Sequence, residues 1–429
     1  MIASTIGHTF LKVYNEKTGN NYTAKEFFEK EYVHLFYDYP LYMMTGGNSP
    51  LENPKISWKK GVRPSLEERK KRITKTIKKI ESNAFDASIA IGYPASEIKE
   101  YATTSGLISN LNLKHSVEDK YLSWIGSGFG CCVKGGLSIY FTDIKILWKI
   151  YEGWIVYRNI LNDKTLSKLR GNQIEAWNSQ WLTFSWNKRL FRKDFDFAHF
   201  HNISMFKVDE KTIEVIPVVW SKLIFSISTK FQDQSMISYI YSLGQTNTTL
   251  GFYPIHFGKA QSLIDYYNLL FGQNATITDA KDYEILFGQK IHNACKYGEI
   301  GLHALQPIAL FEDINKNKKI NTIKFRTYKT WLTAMINKEE TLELTSEIAN
   351  KLHLFEKGSK GTDRRALLEK LLKSGKKDFL NYWDEIVIQI PVEERKKLKE
   401  FSDKIFFMSK EDFGYFSALL KLDYRYQEK

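Results

Sequence analysis

The sequence predicts an α+β protein: a mixed amino-terminal part with short antiparallel sheets, then a carboxy-terminal helical bundle. Three observations carry this. Capped segments with apolar residues at helical spacing recur from residue 23 onward. Short β-rich runs around tight turns fall between about 129 and 226. From about 258 helical patterns take over, broken by Gly, Pro and Lys/Asn stretches. The break Asn315-Lys316-Asn317-Lys318-Lys319 divides an α+β domain, 1–314, from a helical bundle, 315–429. A subdivision of the first, if there is one, belongs near 185–200.

In chain order, residues 23–40 read as a helix. Thr23 and Glu26 form a capping box, Phe27, Phe28, Tyr32, Leu35 and Phe36 supply an apolar stripe, and Pro40 ends it. A glycine-rich loop, Met43 to Pro50, follows. A second helix starts at the cap Ser65, with Glu68 three residues on, and runs to Ile80. Leu66, Ile73, Ile77 and Ile80 form its docking face, and the rest is strongly basic. The second glycine-rich element, Gly126 to Gly136, contains a hairpin. Its strands are Phe129 to Val133 and Leu137 to Phe141, and its turn is Lys134-Gly135-Gly136. Asp143 to Leu161 is a helix with Leu147, Trp148, Tyr151, Ile155 and Ile160 in the core. Ile203 to Val208 and Thr212 to Ile216 flank an Asp209-Glu210-Lys211 turn, and Val218 to Ser226 reads as a further strand. Gln261 to Phe271 and Asp282 to Leu310 fit helices. The bundle then comprises Thr330–Ile336, Thr341–Leu354, Thr362–Leu372, Lys377–Val387 and Glu393–Met408.

Composition narrows the class. A 429-residue chain with 43% hydrophobic residues can bury more than one core, which argues against general disorder. The aromatic share of 14% fills those cores and leaves rings that could stack on bases. Against 49 acidic residues stand 62 Lys and Arg, a net charge of +13 that favours polyanions, nucleic acid first among them. The three cysteines, Cys131, Cys132 and Cys295, do not make a disulfide framework. The first residues lack the basic region and apolar run of a signal peptide, and no apolar stretch reaches membrane-spanning length. A cytoplasmic protein with no membrane partner is expected.

The chemistry-bearing residues do not assemble a convincing active site. His199 and His201, or His292 with Cys295, lack the further ligands a tetrahedral metal site needs. Cys131 and Cys132 read as small apolar packing groups. Gly126-x-Gly-x-Gly is followed by a hairpin rather than the helix of a dinucleotide site. Asp282, Glu284 and Lys290 fall on one amphipathic helix, and Asp194 and Asp196 read as solvated. No cofactor, metal or catalytic residue is therefore expected. What remains is a binding surface: Gly46, Gly47, Asn48 and Ser49 in the first loop, Lys59, Lys60 and Arg63 beyond it, Lys70 and Lys71 on the basic helix, and Lys134, Gly135 and Gly136 at the hairpin turn. Asn, Ser and backbone N–H groups bond base edges and phosphates, while Lys and Arg neutralise the backbone.

The order of these elements resembles one family. A His34-Leu35-Phe36 helix leads to Tyr42 and the Gly46-Gly47-Asn48-Ser49-Pro50 loop. Ala87-Ser88-Ile89-Ala90-Ile91-Gly92 and the Gly126–Gly136 element come next. Glu152-Gly153-Trp154, Tyr157-Arg158 and Trp177-Asn178-Ser179-Gln180-Trp181-Leu182 complete the series. Over about residues 30–185 the chain resembles the large subunit of type I CRISPR–Cas surveillance complexes (Cascade), an antiviral defence family. It departs from those relatives that carry zinc-binding cysteine pairs. The resemblance implies a non-catalytic subunit whose amino-terminal domain sits near the guide RNA. That domain reads the protospacer-adjacent motif in double-stranded DNA and helps open the duplex into an R-loop. It also implies that the bundle helps hold the displaced single strand. Backbone subunits of the complex, and a helicase-nuclease recruited in trans, are the implied protein partners. Sequence reading proper is delegated to RNA–DNA pairing. Two other classes compete: a metal-dependent nuclease using Asp282, Glu284 and Lys290 or His199 and His201, and a freestanding sequence-specific DNA-binding protein.

Overall fold

The structure, a computed structural model, describes residues 2–45, 51, 64–82, 116–164, 168–169, 171–187, 191, 205–210, 212–242, 248–272, 287–337, 339–357 and 362–426. Helices hold 66% of these residues, with a few short antiparallel sheets, which is the α+β class expected from the sequence. The chain divides into two units. One comprises Met1–Gly258 and Lys290–Ile300, the other Lys259–Gln289 and Gly301–Lys429. The Asn315–Lys319 break lies within the second unit, as a turn in which Lys318 N–H bonds the Asp313 carbonyl at 3.0 Å.

In the first unit, α1 (Ile2–Thr18) packs along α5 (Val117–Ser127). A Cβ on Gly126 would lie 1.8 Å from the Ala3 carbonyl oxygen, so only glycine permits this approach. The expected 23–40 helix forms with its capping box intact. It runs as α2 (Ala24–Phe27), a π-helical turn (Phe28–Tyr32) and α3 (Val33–Phe36). α4 (Leu66–Glu81) starts at Ser65, whose hydroxyl accepts from Glu68 N–H. The hairpin forms β1 (Cys131–Val133) and β2 (Leu137–Tyr140), and α6 (Ile144–Asn162) follows from its cap Asp143. α7 (Ile174–Ser185) is buried almost throughout. β3 (Phe206–Val208) and β4 (Ile213–Val215) make a separate two-stranded sheet, with Asp209 N–H bonding Thr212 O at 3.0 Å between them; Lys211 lies outside the described residues. β5 (Ser235–Ser242) and β6 (Thr248–His256) complete a four-stranded antiparallel sheet of order β1-β2-β5-β6.

Four expectations are corrected. Val218 to Ser226 is not a strand. Apart from Val218, which bridges Val133, the run enters α8 (Trp220–Ser228), where Trp220, Leu223, Ile224, Phe225 and Ile227 are all buried. An apolar run covered on every side fits either secondary structure, and packing chose the helix. Ile155 is exposed rather than core, because Trp154, Tyr157 and Arg158 take the inner face of α6. Leu66 is likewise exposed, at the first turn of α4. The described part of 282–310 is no single helix: α10 (Ile291–Ala294) passes into a 3-10 turn, Cys295–Tyr297, ended by Gly298 at φ 77°.

The second unit holds most of α9 (Phe257–Phe271), then α11 (Leu310–Asn315), α12 (Thr322–Ile336), α13 (Glu339–Lys357), α14 (Thr362–Lys373), α15 (Lys376–Ile388), α16 (Val392–Phe406) and α17 (Lys410–Arg425). The expected bundle helices form with ends shifted by a few residues, and Thr330–Ile336 extends back to Thr322. α17, absent from the sequence-based expectation, packs on α12 and α13. Its buried Asp423 accepts from Lys329 at 2.7 Å and from Thr345 at 3.1 Å. Trp383 and Phe379 centre the bundle core, fully buried.

Candidate nucleic-acid interface

Gly46, Gly47, Asn48, Ser49, Lys59, Lys60 and Arg63 lie outside the described residues. Their frame is described. Tyr42, Met43 and Met44 are buried before the loop and Leu51 after it. Met43 N–H bonds Phe36 O at 2.8 Å and Met44 N–H bonds Gly171 O at 3.0 Å. Thr45 Oγ1 lies 3.3 Å from Ser127 Oγ. The buried Arg158 guanidinium donates to the carbonyls of Leu35 (2.7 Å), Leu41 (2.9 Å) and Phe36 (3.0 Å), with Tyr39 stacked 4.4 Å from it. Burial lowers its pKa to about 10, which leaves it charged at neutral pH. These bonds satisfy the end of α3 and fix the direction of the chain into the loop.

α4 lies beside this frame. The charges of Arg72 and Arg69 act on the Tyr42 phenol, opposing the upward shift that burial imposes on it. The inner face of α4 is Arg69, Thr76 and Ile80, all buried, with Arg69 Nη1 donating to Pro64 O at 2.9 Å. Arg69 is therefore a packing residue. At about 100° per residue, Lys71, Thr74, Lys75 and Lys78 fall opposite that face. With Glu67 and Lys70 they line one surface groove. The acids of α4 are taken: Glu67 pairs with Lys71 at 2.9 Å, Glu68 pairs with Arg72, and Glu81 accepts from Lys25 (3.0 Å) and Tyr121 (2.7 Å). Those last two bonds hold the Glu81 carboxyl below its usual range, Tyr121 foremost. Lys70, Lys75 and Lys78 have no acidic partner among the described residues. Three ammonium groups thus stand uncompensated on one exposed stripe, the arrangement that attracts a phosphate backbone.

The hairpin turn is the second basic projection. Gly135 and Gly136 adopt φ of 104° and 75°, the left-handed region that a three-residue hairpin connection demands of glycine. Lys134 is exposed beside them, and its backbone N–H bonds Val218 O at 2.8 Å. The other glycines of this element do not face solvent. Gly126, Gly128 and Gly130 are buried, and a Cβ on Gly128 would meet the Trp154 ring at 2.7 Å. Only the turn of the second glycine-rich element is available for contact.

The residues at 152–158 and 177–182 form the joint that aims this hairpin. Asn178 Nδ2 donates to Gly128 O and Gly130 O, each at 2.8 Å, and its Oδ1 accepts from Trp154 Nε1 at 3.1 Å. Trp177 Nε1 bonds Gly153 O at 2.7 Å, and Trp181 Nε1 bonds Lys149 O at 2.8 Å. Asn178 and the three tryptophans of this joint are all buried.

Burial pushes the Cys131 thiol well above its ordinary value, Cys132 up to about 12 and Cys295 up to about 11, which suppresses nucleophilic thiolate. His199, His201, Asp194, Asp196, Asp282 and Glu284 lie outside the described residues. Lys290 precedes α10 in extended backbone rather than lying on an amphipathic helix. Among the described residues no group of three His, Cys, Asp or Glu side chains is placed to hold a metal ion, and no helix is long and apolar enough to cross a membrane.

Of the two α4 lysines expected from the sequence, Lys70 has no acidic partner among the described residues, while Lys71 is tied to Glu67. Lys75 and Lys78, four and seven residues beyond Lys71, join Lys70 in the groove. The period of 3.6 already carries that signal. No protein-family model, curated protein or solved structure matches this chain.

Proposed function

We propose that this chain is a DNA- and RNA-contacting subunit of a type I RNA-guided CRISPR effector complex, one that engages and helps open duplex DNA rather than cutting it. The observation that carries the reading is the outer stripe of α4, where Lys70, Lys75 and Lys78 have no acidic partner among the described residues, beside the frame of the Gly46–Ser49 loop. Net charge of +13, a slender Lys134 turn and the resemblance over residues 30–185 support it. In this reading α4 neutralises phosphates and so positions the protein. Asn48 and Ser49 reach the duplex next to the recognition motif, and the Lys134-Gly135-Gly136 turn probes close to the DNA. Guide RNA and backbone subunits complete the site, and a helicase-nuclease recruited in trans performs cleavage.

The test is a gel shift with the complex assembled on its guide RNA and a target duplex bearing the motif. Binding should weaken at least tenfold in the Asn48→Ala/Lys134→Ala variant. Unchanged binding removes the site assignment. Tight duplex binding by the isolated chain, undiminished without guide RNA, would favour a freestanding DNA-binding protein instead.

A further inference from the structure

A chain of three functional groups lies on the first unit's four-stranded sheet, apart from the basic surface. Antiparallel pairing sets Ser235 of β5 directly opposite His256 of β6. Ser235 Oγ is 2.8 Å from His256 Nδ1, and His256 Nε2 is 2.9 Å from Glu299 Oε2. Glu299 is brought there by backbone pairing too. Ile300 bridges Ile255 in parallel, with His256 N–H donating to Ile300 O at 3.0 Å and Ile300 N–H to Pro254 O at 2.8 Å. Strand register and a backbone bridge therefore hold all three groups, which is how a preorganised site is built. The relay is open to solvent: Ser235 is exposed, and the His256 and Glu299 side chains are 31% and 50% accessible.

We infer that Ser235, His256 and Glu299 form a nucleophilic serine site that takes carboxylic esters with a small apolar acyl group. A serine hydroxyl is a weak nucleophile until a base within hydrogen-bond reach removes its proton, and the base works best when a third group orients it. Here the Glu299 carboxylate accepts the Nε2 proton, which selects the tautomer with a free lone pair on Nδ1, facing Ser235. Ser235 Oγ attacks the ester carbonyl carbon and its proton passes to Nδ1. The carbon–oxygen bond to the alcohol breaks, and that proton leaves with the alcohol. Water, deprotonated by the same imidazole, then attacks the acyl-serine, releases the carboxylic acid and restores the serine. The next pair on the same sheet face is Ile237 opposite Pro254, followed by Phe252, because alternate strand residues share a face. Ile237 is 62% exposed and Phe252 59%, an unshielded apolar strip leading away from the nucleophile, and this sets the acyl preference. Ser235 and His256 are the catalytic residues; Glu299 is a positioning residue. The site goes beyond the nucleic-acid reading and does not depend on it.

The test uses the full chain. It is incubated with an alkyl fluorophosphonate, which phosphonylates a serine oxygen and releases fluoride, and the adduct is mapped by mass spectrometry. p-Nitrophenyl butyrate hydrolysis is followed in parallel. The expected result is an adduct on Ser235 that is absent in S235A and forms on the order of 100-fold more slowly in H256Q. Side-chain substitution leaves the His256 backbone bond to Ile300 in place, so H256Q keeps the bridge. E299Q should lower the maximal labelling rate without shifting the probe concentration at half-saturation, an effect a merely structural clasp would not produce. No adduct on Ser235 overturns the proposal. Labelling equally fast in H256Q overturns it as well, since Ser235 would then be an ordinary surface hydroxyl.

Discussion

Replacing Lys70, Lys75 and Lys78 together with glutamine removes three charges from the outer stripe of α4 while leaving its docking face of Arg69, Thr76 and Ile80 untouched. Lysine and glutamine have similar helix propensity, so the helix should survive. From Lys70 to Lys78 the helix rises about 12 Å, at about 1.5 Å per residue. One strand of a duplex presents a phosphate every ~3.4 Å along its axis, so the stripe can give each lysine a phosphate of its own. Each phosphate left without its lysine should then flatten the slope of log K against log salt by about 0.9, a change of about 2.7 for three. At roughly 0.1 M salt that slope change corresponds to an affinity loss of about 500-fold. The assay is target-duplex binding by the assembled complex between about 50 and 200 mM salt, with circular dichroism as the control for folding. Native binding with a variant slope within about 0.5 of it would refute α4 as a phosphate-binding element. If the native complex binds no duplex at all, the functional reading itself fails.

Further outcomes follow from the packing and the titrating groups. Gly126→Val drives a side chain into the Ala3 carbonyl at the α1–α5 crossing, a backbone contact that cannot yield as a side chain can. It should cost about 3 kcal/mol or more, read by chemical denaturation. The three thiols should resist alkylation: with Cys295 at about 11 and Cys132 at about 12, iodoacetamide at pH 8 should react on the order of 100-fold more slowly than with the denatured chain. Burial raises the phenols of Tyr121, Tyr140, Tyr157 and Tyr328, so the folded state disfavours phenolate. Stability from these groups is complete below the unfolded tyrosine value of about 10 and is lost as pH rises beyond it. Absorbance at a phenolate wavelength should therefore rise together with unfolding, and separate, earlier titration of these rings would contradict their burial.

Much of the local structure was legible because its causes are local. The Thr23–Glu26 box, the Ser65 cap and the Gly135-Gly136 turn each involve residues within a few positions of one another. The basic stripe of α4 was legible for the same reason, since a helix repeats every 3.6 residues whatever surrounds it. β5 and β6 were missed, although Ile237, Tyr239, Ile240 and Tyr241 are the β-branched and aromatic residues that strands favour. α17 was missed despite the cap at Ser409, whose hydroxyl accepts from Asp412 N–H. Val218–Ser226 was misread because a short, mostly apolar run fits strand or helix alike; Ser221, Lys222 and Ser226 keep a helical spacing, but packing made the choice.

By itself, the sequence determined the α+β class, the capped starts at Thr23 and Ser65, the Gly135-Gly136 turn, and a surplus of positive charge that must lie mostly at the surface. Only the tertiary structure decided that Arg69 is buried while Lys70, Lys75 and Lys78 are not, and that Gly126 and Gly128 are packing residues while Gly135 and Gly136 form an exposed turn. It alone brought Ser235, His256 and Glu299, far apart in the chain, into one hydrogen-bonded line. The physical reason is range. Capping and periodicity are satisfied within a turn or two of backbone, whereas burial, strand register and side-chain relays depend on partners that only the folded chain brings near.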